Sequence, residues 1–243
     1  MNFDGKPLRE LTETNLRQCI DSGVAEHLYL DYKEQLYDNG HGGRRDFLLD
    51  VCMFANAQGG ILLIGVPELR DEKGKPTGLP DSAAQLGVEV ENAEAVLLSY
   101  DGRIASCIEE RLAIESHAIA ISGGRYVLAL RVPDSIRKPH CVRLDGHIYF
   151  PSRRERNLYH MGVTEIKDLS MRAASQLERA ERLALDTLNQ AEHADGPAVI
   201  MTIVPIFFRD FLVDIKHDAT YKAFEHFTVG GAHRDFTSPT FAV

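Results

Sequence analysis

The order of apolar and polar residues predicts short helices and strands along the first two thirds of the chain. Residues 27–33 (HLYLDYK) alternate in polarity, which is typical of a strand with one buried face. Residues 61–66 (ILLIGV) carry no polar side chain, which predicts a central strand covered on both faces. Apolar residues three and four positions apart predict a helix over 44–57, and Gly59-Gly60 is expected to end it.

The elements around these segments are predicted in the same way. Two further helices are expected, over 8–22 with Thr12 or Thr14 as the N-cap and over 93–110. Four further strands are expected over 114–121, 126–132, 141–144 and 147–150, the last two joined by the turn Asp145-Gly146. The charged residues 67–80, rich in turn formers, are predicted to form a loop.

A long helix is predicted from Thr164, as its N-cap, to His193, and strands follow after residue 198. Its apolar stripe indicates a core contact or a partner helix, and consists of Ile166, Leu169, Ala173, Leu177, Ala180, Ala184 and Leu188. We therefore expect an α/β (α+β) domain over 1–170, built on a small mixed β-sheet flanked by helices. A connecting helix over 171–195 and a β-rich segment of unknown role over 196–243 complete the predicted organisation.

Composition narrows the class of protein. Hydrophobic residues make up 44% of the chain and charged residues 26%, and no apolar run approaches the length of a membrane span, so no membrane association is expected. The first residues do not have the pattern of a secretory signal. The four cysteines stand far apart, which argues against a zinc site and favours the reducing cytoplasm.

Charge is unevenly distributed. The net charge of -9 opposes nonspecific binding to a polyanion, yet residues 134–156 carry six cations against three anions. This patch is either a surface for nucleic acid, with Tyr149 and Tyr159 available for stacking, or a solvated face. The candidate phosphate contacts are Arg44, Arg45, Lys138, Arg143, Arg153, Arg154 and Arg156.

Three carboxylates and one lysine lie at or near the ends of predicted strands. Asp31 and Lys33 share one face of a strand, Glu26 precedes that strand, and Glu68 follows the apolar run 61–66. Hydrolysis of a phosphodiester with Mg²⁺ or Mn²⁺ requires oxygen ligands, and a lysine can neutralise developing charge. From spacing alone, solvated charges at strand edges are the commoner explanation.

Two blocks of sequence resemble the signature of the Schlafen family and its bacterial Alba-like relatives. These blocks are residues 26–33 (EHLYLDYK) and residues 47–66 (FLLDVCMFANAQGGILLIGV). Residues 138–140 (KPH) and 149–153 (YFPSR) resemble the closing strands of that family, and residues 164–166 (TEI) resemble the start of its terminal helix. The resemblance runs from about residue 26 to residue 169.

This resemblance implies a Schlafen-core-like domain that binds nucleic acid. Animal Schlafens are similar to metal-dependent endoribonucleases that act on transfer RNA, and their acidic triad matches Glu26, Asp31 and Glu68, with Lys33 as the accompanying lysine. The resemblance thus implies that these three carboxylates hold Mg²⁺ or Mn²⁺. At Asp31 and at Glu68 the carboxylate side chain differs in length from the residue that is commoner in the family. It implies RNA more strongly than DNA, and a homodimer to complete a basic groove.

Two other functions fit the sequence. One is a non-catalytic DNA-binding regulator of the Alba-like class, whose binding would not change when Asp31 or Glu68 is replaced. The other is an interaction module in a defence system, which would dock a partner through the long helix and the residues after 198.

Overall fold

The computed structural model describes residues 7–191, so the strands predicted after residue 198 and the last residues of the predicted long helix lie outside the described residues. The chain divides into two units, Met1–Glu181 and Arg182–Val243. The elements discussed below belong to the first unit, apart from the end of the last helix. No helix within the described range is both long and apolar enough to cross a membrane.

Helices and strands alternate irregularly along the first unit. A 3₁₀ turn at Leu8–Glu10 precedes four α-helices, which are α1 (Glu13–Asp21), α2 (His41–Asn56), α3 (Ala93–Cys107) and α4 (Val163–Ala191). The first five strands are β1 (Leu30–Lys33), β2 (Gly60–Ile64), β3 (Glu68–Arg70), β4 (Pro76–Pro80) and β5 (Ile108–Glu109). The remaining strands are β6 (Glu115–Ile121), β7 (Arg125–Val132), β8 (Cys141–Leu144), β9 (His147–Tyr149), β10 (Pro151–Arg154) and β11 (Asn157–His160).

A four-stranded mixed sheet in the order β1-β2-β7-β6 forms the centre of the unit. β1 and β2 are parallel, and the other two pairs are antiparallel. Leu62 and Ile64 of β2 face a core built with α2 and α3, whereas Ile61 and Leu63 face a second core built with α1 and the 3₁₀ turn. The predicted fold class and the prediction that 61–66 is covered on both faces are therefore confirmed.

Helix α2 is buried on nearly all sides, because it lies between the central sheet and the small strands that follow β7. Strands β8 and β10 contact it opposite the sheet. The sequence predicts only one apolar face for this helix, but polar residues are few in its second half and ten of its residues are buried. Gly59 ends the helix at a positive φ of 72°, and a side chain there would collide with the backbone of Asp134.

Several predicted elements differ from the structure, and the helix predicted over 93–110 ends at Cys107. The helix predicted over 8–22 is broken, and Thr12 caps only its second part through a capping box with Asn15. Residues 67–80 contain the hairpin of β3 and β4, which the pattern hides because Leu69 and Leu79 are exposed rather than set against a core. Thr164 does not cap α4, since the Glu165 carboxylate accepts a hydrogen bond from the backbone N–H of Gly162 instead.

Candidate functional site

Asp31 lies in a buried network of charges between β1 and α2. Its Oδ1 accepts a hydrogen bond from Arg153 Nη1 at 2.8 Å, and Lys33 Nζ lies 2.7 Å from its Oδ2 in an ion pair without hydrogen-bond alignment. Lys33 Nζ also lies 3.2 Å from Asp50 Oδ2, which accepts a hydrogen bond from Tyr37 Oη. Burial opposes the charge of Lys33, but the carboxylates of Asp50 and Asp31 outweigh it and raise the pKa of Lys33. Two cations and two carboxylates thus balance each other.

Arg153 is fully buried, and its guanidinium faces inward. It donates hydrogen bonds to Asp31, to the backbone carbonyl of Leu30 and to that of Glu155, and it lies over the ring of Phe54. The exposed fraction of its side chain is 0%, so its guanidinium cannot reach a phosphate in solvent. This burial removes Arg153 from the predicted set of phosphate contacts and makes it the partner of Asp31.

A second group of side chains meets at Gly78 on β4. Glu68 Oε2 accepts a hydrogen bond from the backbone N–H of Gly78 at 2.9 Å, and the backbone N–H of Glu26 donates to the Gly78 carbonyl at 2.7 Å. Arg156 Nη1 donates to the carbonyl of Thr77 at 2.5 Å. A side chain at residue 78 would lie 2.6 Å from Arg156 Nη1 and 3.6 Å from Glu26 Oε2, so the absent side chain lets these groups approach. We call Glu26, Glu68 and Arg156 the Gly78 cluster.

Glu26 carries the most informative carboxyl group of the Gly78 cluster. Its Oε1 accepts a hydrogen bond from the backbone N–H of Tyr32 at 2.7 Å. Burial, followed by the negative charges of Asp31 and Glu68, nevertheless raises the pKa of Glu26 to about 7. The structure therefore brings the three predicted carboxylates within electrostatic reach of one another, and Glu26 is partly protonated near neutral pH.

The predicted three-carboxylate metal centre does not fit this arrangement. Both oxygens of Asp31 already face cations, and Glu26 and Glu68 each accept a hydrogen bond from a backbone N–H. Within residues 7–191, no group of three or more His, Cys, Asp and Glu side chains is arranged to hold a metal ion. A divalent ion between these residues would require Asp31 to release Arg153 or Lys33.

The other predicted phosphate contacts divide into inward and outward side chains. Lys138 pairs with Asp134 at 2.6 Å and donates to the carbonyl of Ala57, and its exposed fraction is 13%. Arg44 points toward Cys107, with Nη2 3.1 Å from the sulfur. These two side chains stabilise the fold around α2 instead of facing solvent. The exposed predicted cations are Arg45, which pairs with Asp46, and Arg143, Arg154 and Arg156.

The exposed arginines accompany aromatic rings on two small hairpins. The rings of His147 and Tyr149 are stacked at 6.1 Å, and the ring of His160 lies 5.9 Å from that of Tyr149. We call these three residues the ring row. Arg154 lies over the ring of Tyr159 at 5.0 Å, and its side chain is 76% exposed. Arg154 and Tyr159 share one face of the β10–β11 hairpin, whereas His160 lies on the opposite face with Arg153. A cation and a ring are therefore available together at Arg154 and Tyr159.

Several important residues escape prediction from the sequence. Asp50 joins the buried network although it lies in the apolar second half of α2, where it is the lone charge, and this isolation is the available signal. Asn56 carries three hydrogen bonds to the backbone of His140 and Pro151, 84 and 95 residues away. It does not close the neighbouring turn, as a local hydrogen bond would. No sequence signal indicates partners at such distances.

Comparison with known proteins finds a matching family model and similar solved structures. A family model described as Schlafen, AlbA_2 matches residues 26–161. The N-terminal domain of a RecG-related protein from Nitrosomonas europaea is 22% identical, with 59% of this chain and 88% of that one covered and a TM-score of 0.43. The DIP2311 protein from Corynebacterium diphtheriae is 16% identical over 61% of this chain and 26% of that one, with a TM-score of 0.36. No curated protein matches this chain significantly.

Proposed function

Because the chain belongs to the Schlafen AlbA_2 family, we propose that it binds nucleic acid through the exposed face of its β10–β11 hairpin. Family membership supports a nucleic-acid-related function. The observation that carries the proposed location is that exposed Arg154 lies over the ring of Tyr159, with exposed Arg156 in the turn of the same hairpin.

This face supplies both parts of a nucleic-acid contact. Phosphates are bound by exposed guanidinium groups, and bases stack on aromatic rings. Arg156 lies in the turn between β10 and β11, and Arg154 precedes that turn. Because the whole chain carries a net charge of -9, the affinity must come from this local patch rather than from the overall field.

We expect the double variant Arg154→Gln/Arg156→Gln to bind single-stranded RNA about tenfold more weakly than the unmodified protein, because two phosphate contacts are lost. The slope of log affinity against log salt should fall by about one to two. Fluorescence anisotropy at several salt concentrations measures both quantities.

The matched control is Arg9→Gln/Arg17→Gln, which removes the same charge from the exposed 3₁₀ turn and α1. Its affinity should stay within about twofold of the unmodified protein, since distant exposed charges are screened. Equal weakening by both double variants would show that the effect is net charge alone and would reject the proposed face.

Three narrower features belong to the same proposal. Stacking on Tyr159 favours unpaired bases, so RNA with single-stranded loops is the preferred partner over duplex DNA. A homodimer would supply the second side of a groove, since one copy offers a single basic face. The four cysteines are free and buried, which suits a cytoplasmic setting.

Cleavage of structured RNA such as transfer RNA is the second candidate function, favoured by the pKa of Glu26 near 7 beside Glu68 and the exposed Arg156. The Glu26 carboxylate can take the proton of an attacking hydroxyl or water, whose oxygen bonds to phosphorus while a P–O ester bond breaks and the departing oxygen takes a proton from solvent. Arg156 would hold the phosphate whose bond breaks. No role is assigned to Mg²⁺ or Mn²⁺ in this step, because Asp31 is held by two cations.

If Glu26 is the general base, the cleavage rate should rise as the pH rises through about 7, because only the carboxylate accepts a proton. Glu26→Gln should slow cleavage at least about a hundredfold, the usual contribution of such a base. Gel assays with transfer RNA, run with Mn²⁺ and with a chelator, measure the rate. The control Glu34→Gln alters an exposed carboxylate paired with Arg70 and should leave the rate unchanged. Undiminished cleavage by Glu26→Gln would remove the residue from this role.

A further inference from the structure

A cavity of about 790 Å³ lies beside the second half of α3, among residues that neither the Gly78 cluster nor the ring row includes. Its apolar wall contains half-buried Leu112 and Ile114 beside buried Ile104 and Ile108. Its polar groups are Asp101, Arg111 and Arg137. Cavities of roughly 300–1,000 Å³ with an apolar lining and a few polar groups are typical sites for small ligands.

The charged groups of this cavity have no partners among residues 7–191. The guanidinium groups of Arg111 and Arg137 are exposed and form no ion pair or hydrogen bond there, whereas at least ten other Lys and Arg side chains of the described chain are paired. The Asp101 carboxylate also accepts no hydrogen bond within this range. Burial raises the pKa of Asp101, and no nearby cation offsets the effect. The cavity therefore presents two free cations and one separate free acceptor.

These groups define the chemistry of a matching ligand. It needs an anionic group for the two guanidiniums, a flat or apolar body for the apolar wall, and N–H donors for Asp101. A fatty acid or an acidic peptide side chain would offer Asp101 a like charge or no donor. A single amino acid offers both charges but fills only a small part of 790 Å³. A nucleotide has all three parts and the right size.

We propose that this cavity binds a guanine nucleotide, with its phosphate between Arg111 and Arg137 and its base against Leu112 and Ile114. Guanine presents two adjacent N–H donors on one edge, so the two oxygens of Asp101 can accept both. Adenine presents a single amino group there and satisfies only one oxygen. The nucleotide is either free in solution or the phosphorylated end of an RNA strand. The proposal does not depend on the hairpin face.

Isothermal titration calorimetry of the full chain with guanosine monophosphate (GMP) tests the assignment. GMP should bind at least about tenfold more tightly than guanosine, which lacks the phosphate, and than adenosine monophosphate, which lacks the second donor. Arg111→Gln/Arg137→Gln should abolish the preference for GMP over guanosine. Asp101→Ala should abolish the preference for guanine over adenine. The matched control Arg9→Gln/Arg17→Gln should leave all affinities unchanged.

Two additional arms separate the possible results. A short RNA with a 5′-phosphorylated guanosine that competes with GMP at similar affinity identifies a strand end, whereas failure to compete identifies the free nucleotide. Arg154→Gln/Arg156→Gln should still bind GMP, so loss of the hairpin function and loss of the cavity function are read separately. No heat with GMP up to about 1 mM, or equal affinity for both bases, would overturn the assignment. A thermal melt of each variant confirms that it is folded.

Discussion

Replacing Asp31 with alanine is expected to lower the free energy of unfolding by about 3–5 kcal/mol, the usual cost of leaving one member of a buried ion pair alone. The guanidinium of Arg153 would lose its only carboxylate among the described residues while its side chain stays 0% exposed. Lys33 would keep Asp50, so the damage falls mainly on Arg153. Urea denaturation followed by circular dichroism measures the loss.

Two controls make this result specific to burial. Glu34→Ala breaks an exposed pair with Arg70 and should cost less than about 1 kcal/mol. The double variant Asp31→Ala/Arg153→Met removes both members of the buried Asp31–Arg153 ion pair. It should be clearly more stable than Asp31→Ala alone. A loss below about 1 kcal/mol for Asp31→Ala would mean that Arg153 finds solvent or another partner. Because this loss of stability is large, an inactive Asp31→Ala protein could simply be unfolded. Cleavage is therefore tested with Glu26→Gln.

Replacing Asn56 with leucine is expected to cost about 3 kcal/mol or more, because three backbone groups lose their hydrogen-bond partner in a buried site. These groups are the N–H and carbonyl of His140 and the carbonyl of Pro151. Leucine has a similar volume, so little of the loss would come from a cavity. The same urea denaturation measures it, and the amide of His140 should exchange its hydrogen faster.

The matched asparagine is Asn92, which caps α3 by accepting one hydrogen bond from the backbone N–H of Ala95 on an exposed surface. Asn92→Ala should cost about 1 kcal/mol, as helix caps usually do. Equal losses at the two positions would contradict the view that Asn56 joins α2 to β8 and β10.

Local pattern was sufficient for most elements of the first unit. The apolar run 61–66, the glycines after α2 and the turn Asp145-Gly146 each act over a few residues, so they could be recognised without tertiary information. The exposed hairpin of β3 and β4 could not, because neither strand turns an apolar side toward a core. The same limit applies to α2, whose second covering comes from strands about a hundred residues later.

The candidate site was partly predictable for the same reason. The alternation of residues 27–33 places Asp31 and Lys33 on one face, and they do form an ion pair. What Asp31 meets across the interior depends on β10, 122 residues away, and no spacing rule indicates Arg153 there. The sequence shows the basic segment as a group, but it does not indicate which of its cations turn inward. Polar residues become structural or available according to packing, which the pattern along one segment does not contain.

The position of α2 has a consequence for the protein during its synthesis. The strands that cover its outer side, β8 and β10, end at residue 154, roughly a hundred residues after the helix itself. At about 5–20 residues per second, a ribosome needs ~5–20 s to deliver them. For that interval the nascent chain exposes one apolar side of α2 to solvent. Chaperones bind such surfaces, and translation rate becomes a determinant of yield.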